Sequence, residues 1–222
     1  MANLFIFDLD GTLFDSHNQI IRSANATRAA NSLPQIDPLQ AARLVGLPAR
    51  TLFPTEDGAD ASKIERIVSE FRMRLAHEIT IRNELFEGAE AFVDLIKSTG
   101  AFVSIATSKP TWLARIMVAN SPLANSFNWI QGTDDFSPKP NPEVILRCIE
   151  ALDQPENVFM VGDHSVDMLA ARAAGITGIG ISQGSHSSEE LLSVGAKYAG
   201  KSFSELTKTL LDENILTLDY LS

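Results

Sequence analysis

Four consecutive apolar residues, Leu4, Phe5, Ile6 and Phe7, run without polar alternation straight into Asp8-Leu9-Asp10-Gly11-Thr12. Such a run, with no polar face, predicts a strand buried on both sides, the usual condition of a central strand in a parallel sheet. Its end is charged. In open α/β sheets, ligands bind in the crevice beyond the carboxyl ends of the strands. Gly11 and Thr12 turn the chain at once, so Asp8 and Asp10 can project into a site and not into a core. Two carboxylates this close repel one another unless something positive lies between them.

From Phe86 onward, helical and strand-like segments alternate. Helices are expected over about 88–98, 111–120, 142–152 and 167–174, and strands over about 101–107, 127–131, 158–162 and 176–181. This alternation predicts an α/β fold with a Rossmann-like three-layer core, a mostly parallel sheet with helices on both faces. The preceding segment has no convincing strand. A helix over 17–31 and another over 62–78 are separated by turns at Gly46-Leu47-Pro48 and at 54–58. The second helix gathers Ile64, Ile67, Val68, Phe71 and Leu75 on one face, with Lys63, Glu65, Arg66, Glu70, Arg72 and Arg74 elsewhere. The expected organisation is a core of residues 1–14 and 86–222, with a small α-helical domain, 15–85, inserted after the first strand. Asp15 and Ser16 are placed to cap that domain's first helix. Ser202 and Glu205 open a last helix with a capping-box pattern.

A net charge of -10 disfavours any partner recognised through a phosphate backbone, which requires a basic face, so no nucleic acid is expected. A local cluster of cations can still hold a small anion. The single cysteine, Cys148, forms no internal disulfide and falls among Val144, Ile145, Ile149 and Leu152 at helical spacing, which predicts a core position. A strand starting near residue 3 leaves no room for a charged and apolar leader, and no apolar stretch is long enough to span a membrane. The expected setting is cytoplasmic.

Each later strand also ends in polar residues: Thr107-Ser108-Lys109, then Lys139 just before a helix, then Gly162-Asp163 with Asp167 four residues on. In a parallel sheet these ends share one edge. Singly, each has an ordinary explanation as a cap, a solvated lysine or a helix N-terminal acid. At several strand ends together, they predict a site.

Through Asp8-Leu9-Asp10-Gly11-Thr12, Thr107, Lys139 and Gly162-Asp163 to Asp167, the chain resembles the haloacid dehalogenase-like phosphohydrolases. Phe7 to Ser16, Val45-Gly46-Leu47-Pro48 with Arg50, and Ala170 to Gly175 resemble the phosphoglycolate phosphatase-like branch. The resemblance implies a phosphatase in which Asp8 attacks phosphorus to form an aspartyl phosphate, and Asp10 protonates the leaving alcohol and then activates water. Thr107 would donate to the phosphoryl oxygens and Lys139 would offset their charge. The carboxylates at 8, 10, 163 and 167 with a phosphate dianion exceed what Lys139 balances, so a divalent cation is implied, and oxygen ligands suit magnesium. By resemblance it is held by Asp8, the backbone carbonyl of Asp10 and Asp163, with Asp167 behind them.

The inserted helices are implied to be a cap that closes over the site and selects a small phosphorylated metabolite. Arg50, on a loop that faces the site in relatives, and Ser108, beside the phosphoryl position, are the expected substrate contacts. His164 is expected to line the site and not to bind metal. Ser108 stands where Asn is common in the branch, Glu87 where Pro is common, and Pro138 precedes Lys139; none of these removes a catalytic group. Phosphoglycolate is the first candidate substrate. A phosphosugar mutase, pyrophosphatase or nucleotidase of the same fold is the enzymatic alternative, and a noncatalytic binder of a phosphometabolite or protein is the non-enzymatic one. Monomer and homodimer are both open.

Overall fold

The computed structural model describes residues 2–53, 61–152 and 155–217. The expected turn at 54–58 lies outside them. In chain order the elements are β1 (Leu4–Phe7), α1 (His17–Ala30), α2 (Pro38–Leu44), a short 3-10 turn (Ala49–Leu52), α3 (Ala61–Ile81), α4 (Ala89–Ser98), β2 (Phe102–Thr107), α5 (Thr111–Ala119) and β3 (Trp129–Gly132). There follow α6 (Glu143–Ala151), β4 (Val158–Gly162), α7 (Ser165–Ala173), β5 (Thr177–Ile181), α8 (Ser188–Ser193), β6 (Ala196–Gly200) and α9 (Phe203–Asp212).

The strands form one sheet in the order β3-β2-β1-β4-β5-β6, every pair parallel. The run that opens the sequence is its interior strand, with Phe7 level with Ile105 of β2 and Val161 of β4. Alternation along β1 sends Leu4 and Ile6 to one face, where Val144, Ile145 and Cys148 of α6 and Ala170 and Ala171 of α7 cover them. Phe5 and Phe7 go to the other, against residues of α4, α5 and α9. All four are fully buried, each contributing about 1.5–3 kcal/mol of transfer free energy. This is the three-layer arrangement expected from the alternation. Cys148 is a core residue; burial pushes its thiol up to about 12, so it stays protonated.

The helical segment leaves and rejoins the core at adjacent points. The Asp15 amide donates to the Glu84 carbonyl at 3.0 Å and the Phe86 amide to that of Leu13 at 2.9 Å. Within it α1 and α3 pack together, and α3 also reaches α5. Among the described residues no helix is long and apolar enough to cross a membrane.

Several local expectations are corrected. α8 and β6 were not anticipated, because β6 reads Ala196-Lys197-Tyr198-Ala199-Gly200, an edge strand with only its ends buried and no apolar run. α7 starts at Ser165, two residues early, because the His164 ring accepts the Val166 amide as its cap. The box at α9 is half formed: Ser202 accepts the Glu205 amide, but the Glu205 carboxylate takes the Lys201 amide, one residue further out. Ser16 stands at the N-cap of α1 without making a side-chain cap bond. Its hydroxyl is used in the site.

Candidate active site

The ends of β1, β2 and β4 and the loop after β3 converge on a buried polar cluster. Asp8 continues β1, its amide donating to the Val161 carbonyl at 3.0 Å. Lys139 reaches in from the loop after β3 with its side chain 0% exposed, and its ammonium meets Asp8 at 2.9 Å, Asp167 at 2.6 Å and the Ala106 carbonyl at 3.1 Å. The ammonium donates hydrogen bonds to Asp167 and to Ala106 and lies against Asp8 as an ion pair, so the Asp8 oxygen facing it keeps no hydrogen-bond partner among the described residues. The other Asp167 oxygen accepts the His164 amide at 3.0 Å. With both oxygens engaged, Asp167 aims Lys139 at Asp8.

Asp163, also fully buried, accepts the Thr12 hydroxyl at 2.9 Å and the Ser185 amide at 2.7 Å. The glycines of the two motifs make room for these acids. Gly11 has φ +77° and a Cβ there would lie 2.4 Å from an Asp163 oxygen; one at Gly162 would lie 2.3 Å from an Asp167 oxygen. Glycine alone fits both positions.

Asp10 is held apart from this cluster. The Ser16 hydroxyl donates to one of its oxygens at 2.5 Å, and Lys109 forms a buried ion pair with the other. The sequence places Lys109 in the polar run after β2 but assigns it no role. Nothing in the local pattern reveals a partner 99 residues away.

Asp10, Thr107, Ser108 and Lys109 form the core wall of a small cavity of about 30 Å³. The helical segment supplies the opposite wall, including Leu44, Leu47, Leu52 and Phe71. Ser108 lines this cavity, and its buried Oγ has no partner among the described residues. Arg50, the other expected substrate contact, does not line it: the 3-10 turn buries Leu52 and leaves Arg50 in an exposed ion pair with Glu65 at 3.0 Å. From the same segment it is Arg72 that lines the cavity. His164 lies at the rim of the cluster, edge-on to the His186 ring at 4.4 Å between centroids.

The acids have the electrostatics of a cation site. Oxygens of Asp8, Asp163 and Asp167 lie within 4.8 Å of one another, all buried. Burial, only partly offset by Lys139 and reinforced by Asp167 and Asp10, pushes the Asp8 carboxyl up to about 6. Burial, then the charges of Asp167 and Asp8, holds Asp163 well above the usual carboxylate range. For Lys139 burial acts downward, but Asp167 and Asp8 reverse it and keep the ammonium above its ordinary range. One ammonium does not balance three buried carboxylates, and hard oxygen ligands fit a hard divalent cation. Asp8, Asp163 and Asp167 are the carboxylates placed to hold such a cation; Asp167 already meets Lys139 and the His164 amide, and Asp163 meets Thr12 and the Ser185 amide, each through one lone pair per oxygen.

A pH dependence of stability follows. A carboxyl whose folded pKa exceeds its unfolded value binds more protons when folded, so stability is lost as pH climbs from about 4 towards about 6. Cation binding opposes that loss. The rise in melting temperature produced by magnesium over chelator is therefore expected to grow from pH 4.5 to pH 7, as thermal melts at matched ionic strength would show. A shift independent of pH would count against a cation on these acids.

Comparison with known proteins places this geometry in a family. The sequence profile described as haloacid dehalogenase-like hydrolase matches residues 5–181. The chain is 32% identical over 174 residues to a phosphoglycolate phosphatase of Xylella fastidiosa, covering 77% of this chain and 76% of that protein. It is 28% identical over 190 residues to a 5'-nucleotidase of Pseudomonas aeruginosa, covering 84% and 85%. The solved structure of a haloacid dehalogenase-like family hydrolase from Streptococcus pneumoniae superposes with a TM-score of 0.81 at 26% identity, covering 94% of this chain and 98% of that one. With the aspartates at the strand ends and a profile match spanning most of its length, the chain belongs to the haloacid dehalogenase-like hydrolases.

Proposed function

We propose that this protein is a magnesium-dependent phosphatase of small phosphomonoesters, with phosphoglycolate the first candidate, working through an aspartyl phosphate on Asp8. The observation that carries this reading is the separation of two carboxylates that lie two residues apart. Asp8 sits among Lys139, Asp163 and Asp167, whereas Asp10 is turned away onto Ser16 and Lys109. Environments this different suit a nucleophile and a proton carrier.

In this reading Asp8 attacks phosphorus and the ester oxygen departs with a proton from Asp10. Asp10 then takes a proton from the water that opens the acyl phosphate. Thr107 donates to the transferring phosphoryl oxygens, and Lys139, held by Asp167, offsets the charge developing between them and Asp8. Magnesium, held by Asp8, Asp163 and the Asp10 carbonyl, would supply charge neutralisation for the phosphoryl group. Residues 15–85 act as a cap whose wall over Asp10 and Thr107 keeps out bulk water and limits the substrate to a small molecule. The modest cavity and the relative named phosphoglycolate phosphatase support that substrate; the relative named 5'-nucleotidase keeps a nucleoside monophosphate in the test.

Phosphate release across a panel of phosphometabolites, with magnesium and with chelator, tests the reading. Turnover is expected with magnesium, phosphoglycolate leading. Isomerisation of a sugar phosphate without release would instead indicate a mutase. Asp10→Asn is expected to slow alkyl phosphates by about 10²–10⁴-fold, while slowing p-nitrophenyl phosphate far less, because only poor leaving groups need the proton. Equal slowing of both would remove Asp10 from the acid role.

A further inference from the structure

The helical wall of the cavity carries a cation that this mechanism does not use. Arg72 follows the buried Phe71 on α3 and precedes the exposed Met73, which leaves it at the seam between the helix's two faces. It lines the cavity with Asp10, Thr107, Ser108 and Lys109. Neighbouring arginines are matched by carboxylates: Arg22 by Glu78, Arg50 by Glu65 and Arg74 by Glu70. The buried Nε of Arg72 has no hydrogen-bond partner among the described residues, and Glu65 and Asp134 act on it only as charges at a distance.

Desolvating part of a guanidinium without a partner costs free energy that nothing among the described residues recovers, and the group stays charged throughout. Across the cavity the Ser108 hydroxyl is also buried and unpartnered, while Lys109 is occupied by Asp10. Two unused donors therefore face one cavity, one from each wall, among mainly aliphatic neighbours. A planar guanidinium is matched best by a carboxylate, which it grips through two parallel bonds.

We infer that Arg72 is a specificity-determining residue that binds a carboxylate on the part of the substrate remote from the phosphorus, with Ser108 completing the subsite. The inference rests on the reading above, which seats the phosphoryl group at Asp8. It makes phosphorylated small acids the preferred substrate class and disfavours neutral sugars and nucleosides, which leave the buried Nε of the half-buried Arg72 unpaired.

The test separates binding from turnover by using two phosphonates of similar length that the enzyme does not hydrolyse. With magnesium present, titration calorimetry is expected to show 3-phosphonopropionate binding the full-length protein about 30-fold or more tighter than propylphosphonate. Arg72→Met is expected to collapse that ratio to within about 3-fold, and Arg72→Lys to restore part of it. A wild type without preference, an Arg72→Met variant that keeps it, or equal weakening of both ligands would overturn the assignment. A wild-type preference for the acid that Arg72→Met abolishes, with no phosphate released from any phosphomonoester of the panel, would instead support the subsite and overturn the phosphatase reading.

Discussion

Asp8→Asn is expected to lower turnover of every phosphomonoester by at least about 10⁴-fold while leaving the metal-free protein more stable than wild type. The loss of activity follows from removing the attacking oxygen, for which no other residue substitutes. The gain in stability follows from the same geometry. Asp8, Asp163 and Asp167 crowd together in the core with Lys139 as the one ammonium bound to Asp8 and Asp167. An amide keeps an acceptor for Lys139 at 2.9 Å and removes one unbalanced charge. A gain of about 1 kcal/mol would raise the melting temperature in chelator by roughly 2–4 °C. Magnesium should stabilise the variant less than wild type. A variant that keeps its activity would mean that Asp8 is not the nucleophile, and one that melts well below wild type in chelator would mean that Asp8 does not belong to an overcharged cluster.

Lys139→Met is expected to act oppositely on stability. It strips the counter-charge from two carboxylates that are at most 2% exposed, and breaking a buried pair from one side costs about 3–5 kcal/mol. In chelator at pH 7 that is a large fraction of what holds a domain of this size together. The penalty should shrink at pH 5, because Asp8, whose carboxyl lies at about 6, is then largely protonated. Magnesium should rescue part of it by supplying charge to the same acids. The rate should also fall by about 10²–10³-fold with magnesium present, the usual cost of losing one group that stabilises developing charge. Denaturation at the two pH values with and without magnesium distinguishes this account from a simple packing defect, which would show neither the pH dependence nor the rescue.

Much of this was legible before any coordinates. The apolar run through Leu4 and Phe7 had to be a strand buried on both faces, and helix–strand alternation from Phe86 onward fixed the layers, because both signals are local and carried by many residues. The acids at 8, 10, 163 and 167 were visible because parallel strands bring all their carboxyl ends to one edge. Long-range pairings were not legible. The Lys109 partner of Asp10, the Ser16 hydroxyl turned from its cap, and the Ser185 amide on Asp163 depend on where loops land and leave no periodic trace. Arg50 and Arg72 show the same limit: both are arginines in a helical segment, and only the orientation of the 3-10 turn and of α3 decides which meets Glu65 and which meets the cavity. β6 escaped because an edge strand needs no apolar run.

The central claim is that Asp8 carries the phosphoryl group during turnover. The most direct measurement is rapid acid quenching of enzyme, magnesium and phosphoglycolate, followed by proteolysis and mass spectrometry of the peptide containing Asp8. The expected result is a single phosphoryl adduct on Asp8, removed by hydroxylamine as an acyl phosphate must be and absent from Asp8→Asn. Phosphate release with no adduct on Asp8 at any quench time, or an adduct on another residue, would contradict it.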